Sequence, residues 1–150
     1  MRGYYRNTSN SHLVGKLGEL AAESWFHELG HEVKSLFRDP SLEADADLIL
    51  GALRIEVKTW SDQYCAKWGR CIAIGQLSSL KGKSDLILWC TVEFDEPLRT
   101  SVVNIRGWNF SADVGSWKQL WTGPTGRPVN NYQGQDSDLR DLDDFPPELN

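Results

Sequence analysis

A strictly alternating stretch, "LRIEVKT" at residues 53–59, constrains the fold more than any other feature of the sequence. Apolar residues stand at every second position with charged residues between them, so an extended chain places the two kinds on opposite faces. The short apolar run "ADLIL", residues 46–50, precedes it, and only Gly51 and Ala52 separate the two. We therefore predict a β-hairpin that buries one face in a core.

The segments around this hairpin predict an α/β domain with a mixed β-sheet. Residues 11–30 carry apolar side chains at spacings of three and four, which predicts a helix that begins at Ser11 and stops at Gly30. Because the apolar stretch 85–93 follows a predicted crossover helix, it can lie parallel to an earlier strand. The other predicted elements are a strand at 31–37, a helix at 72–83 and a strand at 101–108.

The region beyond residue 108 shows no clear period. We predict one or two helical turns for "SWKQLW", residues 116–121, and turns for most of the residues after them. The chain is thus expected to form a single domain over residues 1–150, with a core at about 11–108. Residues 109–150 would be an irregular segment that contains tryptophan and ends in an acidic tail.

Charge and cysteine content narrow the possible environments and partners. The net charge of −5 arises after residue 130, where six acids face one base, and the rest of the chain is balanced. A nucleic-acid partner is therefore not excluded. Three cysteines without C-x-x-C spacing predict reduced thiols. The sequence has neither a long apolar run nor an apolar signal segment, which predicts a cytoplasmic protein without a membrane span.

The pentapeptide "HELGH" at residues 27–31 matches the zinc-protease pattern H-E-x-x-H. A catalytic zinc needs a third protein ligand, and the sequence offers no histidine at the expected place downstream. Gly30 also stands where the helix should stop, which would leave His31 outside the helical register of His27. A zinc metallopeptidase is therefore the weaker interpretation of this region, and a solvated helix end is the stronger one.

A second group of polar residues lies on the predicted hairpin. The alternation places Glu56 and Lys58 on one face of their strand, and the tight connection can bring Asp47 beside them. Two neighbouring carboxylates suit a hard divalent ion such as Mg²⁺, and the backbone carbonyl of Val57 could supply a further oxygen ligand. A lysine there can activate a water molecule or stabilise negative charge that develops on phosphate. Asp45 is the alternative to Asp47.

With these residues in place, Asp47 and "EVK" at 56–58 resemble the catalytic core of the PD-(D/E)XK nuclease superfamily. The resemblance covers residues 13–95. The superfamily includes restriction-endonuclease-like and Holliday-junction-resolvase-like members. It implies an αβββαβ core in which Glu19 on the first helix and Gln76 on the second belong to the site. The proline of the family motif is replaced here by Ala46, and a tyrosine common in resolvases by Leu80.

The resemblance implies a Mg²⁺-dependent DNA endonuclease, with Mn²⁺ as a possible substitute. Asp47, Glu56, the Val57 carbonyl and Glu19 would hold the metal, Lys58 would position or activate water, and Gln76 would orient nearby groups. The products would carry 5′-phosphate and 3′-hydroxyl ends. The enzyme would be of restriction or homing type, from a phage or mobile element in a prokaryotic host. A Holliday-junction resolvase and an inactive nucleic-acid-binding module are the alternatives.

Basic and aromatic residues near the site predict contacts with double-stranded or branched DNA. The candidates are Lys67, Arg70, Trp60 and Trp68 in the mixed stretch 59–71, together with Lys81 and Lys83. The aromatic side chains could instead complete the core, and the two lysines could serve only a helix C-terminus. Cutting both strands of a duplex requires two sites, which implies a homodimer or larger symmetric oligomer. Its candidate interface contains Trp108, Phe110, Trp117 and Trp121, which could equally cover the sheet.

Overall fold

The computed structural model describes residues 8–42, 46–95, 97, 100–122 and 129–146, with backbone alone for 8–11, 121–122 and 129. The fold is α/β, with a mixed central sheet of five strands and flanking helices. The helices are α1 (Thr8–Glu28), α2 (Asp62–Trp68), α3 (Ile74–Leu80) and α4 (Ser111–Val114). The strands are β1 (Lys34–Ser35), β2 (Leu48–Leu50), β3 (Leu53–Ser61), β4 (Arg70–Ala73), β5 (Leu86–Asp95), β6 (Thr100–Phe110), β7 (Lys118–Thr122) and β8 (Val129–Gly134).

The hairpin and the parallel crossover that the sequence predicts are both confirmed. Strands β2 and β3 pair antiparallel with Leu48 opposite Ile55, and β3 pairs parallel to β5 with Ile55 opposite Leu86. The sheet order is β1-β2-β3-β5-β6, which places β3 at its centre. Strand β1 is shorter than predicted. Helix α1 ends at Glu28, and Gly30 comes soon after it with a φ of 84°, as expected for a glycine that terminates a helix.

Each face of the central sheet carries its own apolar cluster. On one face Ile55 and Val57 of β3 pack with Ala22 and Phe26 of α1. On the other face Trp89 of β5 packs with residues of β4, α3 and α4 and with Trp117. Charged residues of β3 alternate with its apolar ones and therefore point toward this second face.

A second, three-stranded sheet of order β4-β8-β7 joins β4 to two strands from the region predicted to be irregular. The prediction of helical turns at residues 116–121 is wrong, because residues 118–122 pair with β8. The prediction that the segment from residue 109 onward is irregular is also wrong. Besides β7 and β8, this segment contains α4 and two 3₁₀ turns. These strands are mostly polar and are held by hydrogen bonds to residues distant in sequence, so no local alternation marks them.

The C-terminal segment packs against the body of the protein. Phe145 lies 5.4 Å from Phe26 and 5.6 Å from Trp108, measured between ring centroids. The indole N–H of Trp108 donates a 2.8 Å hydrogen bond to the carbonyl of Asp141. This segment thus closes one end of the α1 core.

The tryptophans predicted as interface residues are largely internal. Trp108 and Trp117 are buried within the chain, whereas Phe110 is exposed. Trp117 approaches Trp89 at 5.5 Å because residue 134 is a glycine, where any side chain would overlap the indole. The side chain of Trp121 lies outside the described residues. Trp108 and Trp117 are therefore corrected from interface to core residues.

The three cysteines are free and buried. In the described part of the chain, no helix is long and apolar enough to cross a membrane.

Helix α1 approaches β3 most closely at Gly18. A methyl group on Gly18 would lie 2.8 Å from the Cβ of Thr59 and would overlap its hydroxyl oxygen. Three residues earlier, a methyl group on Gly15 would meet no atom within 4 Å. The two glycines of one helix therefore have different roles, since only Gly18 is required for packing.

We expect Gly18→Ala to lower the free energy of unfolding by about 1–3 kcal/mol, because the added methyl forces α1 away from β3. The matched control is Gly15→Ala, which should leave stability unchanged or raise it by about 0.5–1 kcal/mol through helix propensity. Urea denaturation followed by circular dichroism measures both. Equal effects of the two substitutions would contradict the close contact.

Candidate active site

The site begins with Asp47, which stands one residue before β2. Continuing the β2–β3 register places it opposite Glu56. Its Oδ2 accepts a 2.8 Å hydrogen bond from the backbone N–H of Val57, and its own carbonyl accepts one from Leu36. Because a residue in an antiparallel strand presents its N–H and C=O to the same side, the Val57 carbonyl also faces the edge where Asp47 lies.

Glu56 and Lys58 share one face of β3, as the alternation predicts. The ammonium of Lys58 lies 2.9 Å from Oε1 of Glu56, and each side chain is 14% exposed. The lysine is therefore held beside the carboxylates in a partly sheltered position, where its charge is weakly screened by solvent.

Glu19 reaches the same place from α1. Its carboxylate lies close enough to that of Asp47 for each to affect the pKa of the other, and Lys16 lies 3.8 Å from it. The contact between Gly18 and Thr59 brings this turn of the helix against β3, so the residue next to Gly18 arrives beside the strand. The structure thus brings together Glu19, Asp47, Glu56 and Lys58.

The electrostatics of the cluster favour bound protons. Burial is the main cause that raises the pKa of Asp47 to about 6, and the neighbouring Glu19 adds to it. Burial also raises the pKa of Glu19. Burial is the main cause that raises the pKa of Glu56 as well, and the negative charge of Asp47 is the second cause. Glu19, Asp47 and Glu56 also raise one another's pKa through the repulsion of like charges, which favours the protonated forms. A cation bound there would relieve this repulsion.

The donor set suits one type of metal site. Within the described residues, no three His, Cys, Asp or Glu side chains lie close enough together to hold a metal ion by themselves. Mg²⁺, however, commonly takes only one or two carboxylates and completes its shell with water and substrate phosphate. Asp47 and Glu56, with the Val57 carbonyl on the same edge, fit that pattern and do not form a closed protein cage.

The remaining predicted catalytic residue forms no hydrogen bond with this cluster. Gln76 is exposed on α3, and no hydrogen bond joins it to Glu19, Asp47 or Glu56. Its predicted role in orienting these groups therefore has no contact to support it. The alternative ligand Asp45 lies outside the described residues.

One predicted DNA contact is withdrawn. Arg70 is 6% exposed, and its guanidinium pairs with Asp136 of the acidic C-terminal segment. An arginine enclosed in this way cannot meet a phosphate without breaking that ion pair.

The other predicted DNA contacts remain at least partly accessible. Lys67, Lys81 and Lys83 are exposed. Trp60 and Trp68 are half-buried, Trp60 stacked on Tyr64 and Trp68 beneath the ammonium of Lys67. These five residues remain candidates for DNA contact.

The zinc pattern is not assembled. Helix α1 ends at Glu28, so His31 lies beyond the helix that carries His27, and the N–H of His31 bonds instead to the carbonyl of Phe26. The two histidines therefore lack the one-turn spacing on a helix that the H-E-x-x-H motif requires.

A structural anchor was missed from the sequence. Glu23, one turn after Glu19, is buried and accepts hydrogen bonds from Ser35 at 3.0 Å and from the guanidinium of Arg38 at 2.7 Å. The pairing with Arg38 lowers the pKa of Glu23. It ties α1 to β1 and to the turn beyond it, where Leu36 bonds to Asp47. The i, i+4 spacing from Glu19 is its only signal in the sequence.

Neither a protein-family model, nor a curated protein, nor a solved structure matches this chain. Its function must therefore be argued from its own residues.

Asp47 should make the stability of the protein depend on pH. Folding raises its pKa from 3.8 to about 6, so the native state holds the proton more tightly than the unfolded chain does. The resulting stabilisation is complete below about pH 4 and is lost as the pH rises through about 6. In EDTA at pH 8, Asp47→Asn should therefore be more stable than wild type by about 1–3 kcal/mol.

Urea denaturation at a series of pH values measures this difference, which should vanish near pH 4. The matched control is Asp143→Asn, an exposed site that should behave like wild type at every pH. If wild type and Asp47→Asn were equally stable at pH 8, burial would not raise the pKa of the Asp47 carboxyl.

Proposed function

We propose that this chain is a Mg²⁺-dependent DNA endonuclease with a restriction-endonuclease-like core. The order helix, three strands, helix, strand from α1 to β5 agrees with the αβββαβ arrangement that the sequence resemblance implies, with α2 and β4 inserted before α3. The observation that carries the proposal is the meeting of Glu19, Asp47, Glu56 and Lys58 at the point where β2 and β3 diverge.

Each residue has a role that its position supports. Asp47 and Glu56 would hold the metal, with the Val57 carbonyl as a further oxygen ligand and Glu19 in support. A bound Mg²⁺ supplies Lewis-acid polarisation of a phosphodiester. The ammonium of Lys58 would orient the attacking water and stabilise negative charge on the phosphate, since it lies within the same sheltered cluster. Hydrolysis of this kind leaves 5′-phosphate and 3′-hydroxyl ends, and cutting a duplex would require a homodimer.

Cleavage of supercoiled plasmid in Mg²⁺ tests the reaction. We expect wild type to nick or linearise the plasmid, and Asp47→Asn, Glu56→Gln and Lys58→Ala each to lose about 100-fold or more. The exposed substitutions Asp143→Asn and Lys118→Ala change charge by the same amounts and should retain full activity. EDTA should stop the reaction, and Mn²⁺ should restore it.

Other outcomes of the same experiment have distinct meanings. Activity of Lys58→Ala equal to that of wild type would refute the assignment. Binding without cleavage of plasmid, linear or four-way-junction DNA would identify an inactive binding module, and cleavage of the junction alone a resolvase. Stoichiometric zinc in the purified protein, lost in His27→Ala, would revive the peptidase interpretation.

Metal binding has a readout independent of cleavage. At pH 8, Mg²⁺ should raise the melting temperature of wild type, because a ligand at 100 times its Kd stabilises the native state by about 2.7 kcal/mol. Asp47→Asn should lose most of this shift and Asp143→Asn none of it. A shift of equal size in all three proteins would place the ion elsewhere.

A further inference from the structure

The face of β3 that carries the candidate site extends beyond it in both directions. Arg54, Glu56, Lys58 and Trp60 occupy alternate positions, so their side chains share one face at intervals of about 6–7 Å. Arg54 precedes the site and Trp60 comes after it. Each of these two residues belongs to a larger group of side chains that the catalytic proposal does not use.

The group on the Arg54 side is basic. The guanidinium of Arg54 donates 3.0 Å and 3.1 Å hydrogen bonds, to the carbonyl of Gly82 and to Asp85 respectively. It thereby holds the turn after α3, in which Lys81 and Lys83 flank Gly82. Both lysines are exposed, and within the described residues neither forms an ion pair. Asp85 offsets the charge of Arg54, so the turn presents a net positive surface.

The group on the Trp60 side is aromatic. The rings of Trp60 and Tyr64 stack with centroids 4.6 Å apart and planes inclined by 14°. The stack is built by the start of α2, where the hydroxyl of Ser61 accepts a hydrogen bond from the N–H of Tyr64. Both rings remain partly exposed. Such a planar pair suits the face of a nucleobase.

We infer that this face of β3 binds a single-stranded segment of DNA beside the cleaved bond. Lys81 and Lys83 contact its phosphates on one side of the site, and the Trp60–Tyr64 stack receives an unpaired base on the other. A base in a duplex has its faces covered by its neighbours, so stacking on the protein selects unpaired nucleotides. The inference rests on the proposed nuclease function and narrows its substrate to gapped, flapped or branched DNA.

Binding in EDTA, where cleavage is blocked, tests the phosphate side. Fluorescence anisotropy would compare a single-stranded oligonucleotide, the same sequence as a full duplex, and a duplex with a short gap. The single-stranded and gapped forms should bind at least about tenfold tighter than the duplex. The double substitution Lys81→Gln/Lys83→Gln should reduce the slope of log K against log salt by about 1.4, at about 0.7 per phosphate contact on a single strand.

The matched control is Lys118→Gln, an exposed lysine on β7, which should leave the slope unchanged. Equal affinity for all three DNA forms, or a slope unchanged in the double variant, would overturn the inference. Tighter binding of an RNA oligonucleotide of the same sequence would assign the surface to RNA instead.

The aromatic side is tested with 2-aminopurine placed at successive positions of the single-stranded oligonucleotide. One position should show lower emission with wild type than with Trp60→Leu, because stacking quenches the probe. Trp60→Phe, which keeps a flat ring, should restore both the quenching and the affinity. If Trp60→Leu fails to fold, Tyr64→Leu replaces it. No position-specific quenching by wild type would overturn the stacking step.

These results separate the two proposals. Binding with the expected preference by a protein that cleaves no DNA would keep the binding surface and reject the nuclease. Cleavage that is lost in Asp47→Asn, by a protein that binds all three DNA forms equally, would keep the nuclease and reject the surface.

Discussion

The contact between Gly18 of α1 and Thr59 of β3 determines where the acidic residues of the candidate site meet. With no side chain on residue 18, the helix lies directly on the central strand, and Glu19 arrives beside the edge at which β2 ends. Glu23 secures the same helix one turn later through Ser35 and Arg38. A helix displaced by one methyl group would separate Glu19 from Asp47, although the apolar face of α1 would still be buried.

This arrangement has an energetic cost that the fold does not require. Glu19, Asp47 and Glu56 are partly buried close to one another, and each has a raised pKa, mainly because burial disfavours the charged form. Glu23 is more deeply buried, yet the pKa of this carboxyl is lowered because it is paired with Arg38. Lys16 lies beside Glu19 and Lys58 beside Glu56, yet neither cation lowers the pKa of its neighbour below the ordinary value as Arg38 does for Glu23. Clusters of strained titratable groups of this kind are typical of functional sites.

The hairpin and the pairing of its side chains were predictable because they depend on neighbouring residues. Alternation fixes the faces of β3, and a two-residue connection leaves little freedom in the register, so Asp47 opposite Glu56 is a consequence of local geometry. The place of Glu19 in the site could be predicted only from the family resemblance. Periodicity shows which face of a helix is buried, but it does not show which strand that face packs against. Gln76 was carried over in the same way, and the structure leaves it exposed and without a hydrogen bond to the carboxylates.

The parts that were not predictable depend on contacts between distant residues. Strands β7 and β8 are mostly polar and acquire their structure by pairing with each other and with β4, so the sequence predicted helical turns over most of β7 and turns over β8. Arg70 was predicted to contact DNA from the basic and aromatic residues around it, because its partner Asp136 lies 66 residues away and could not be identified from the sequence. Residues of this second sheet, of α3 and of α4 pack against Trp89 on one face of the central sheet. Glu56 and Lys58 point to the same face, so this packing supports the strands that carry them. The acidic C-terminal region is consequently part of the structure around the site, and its residues form ion pairs and hydrogen bonds with the body, as Asp136 does with Arg70 and Arg140 with Asp113.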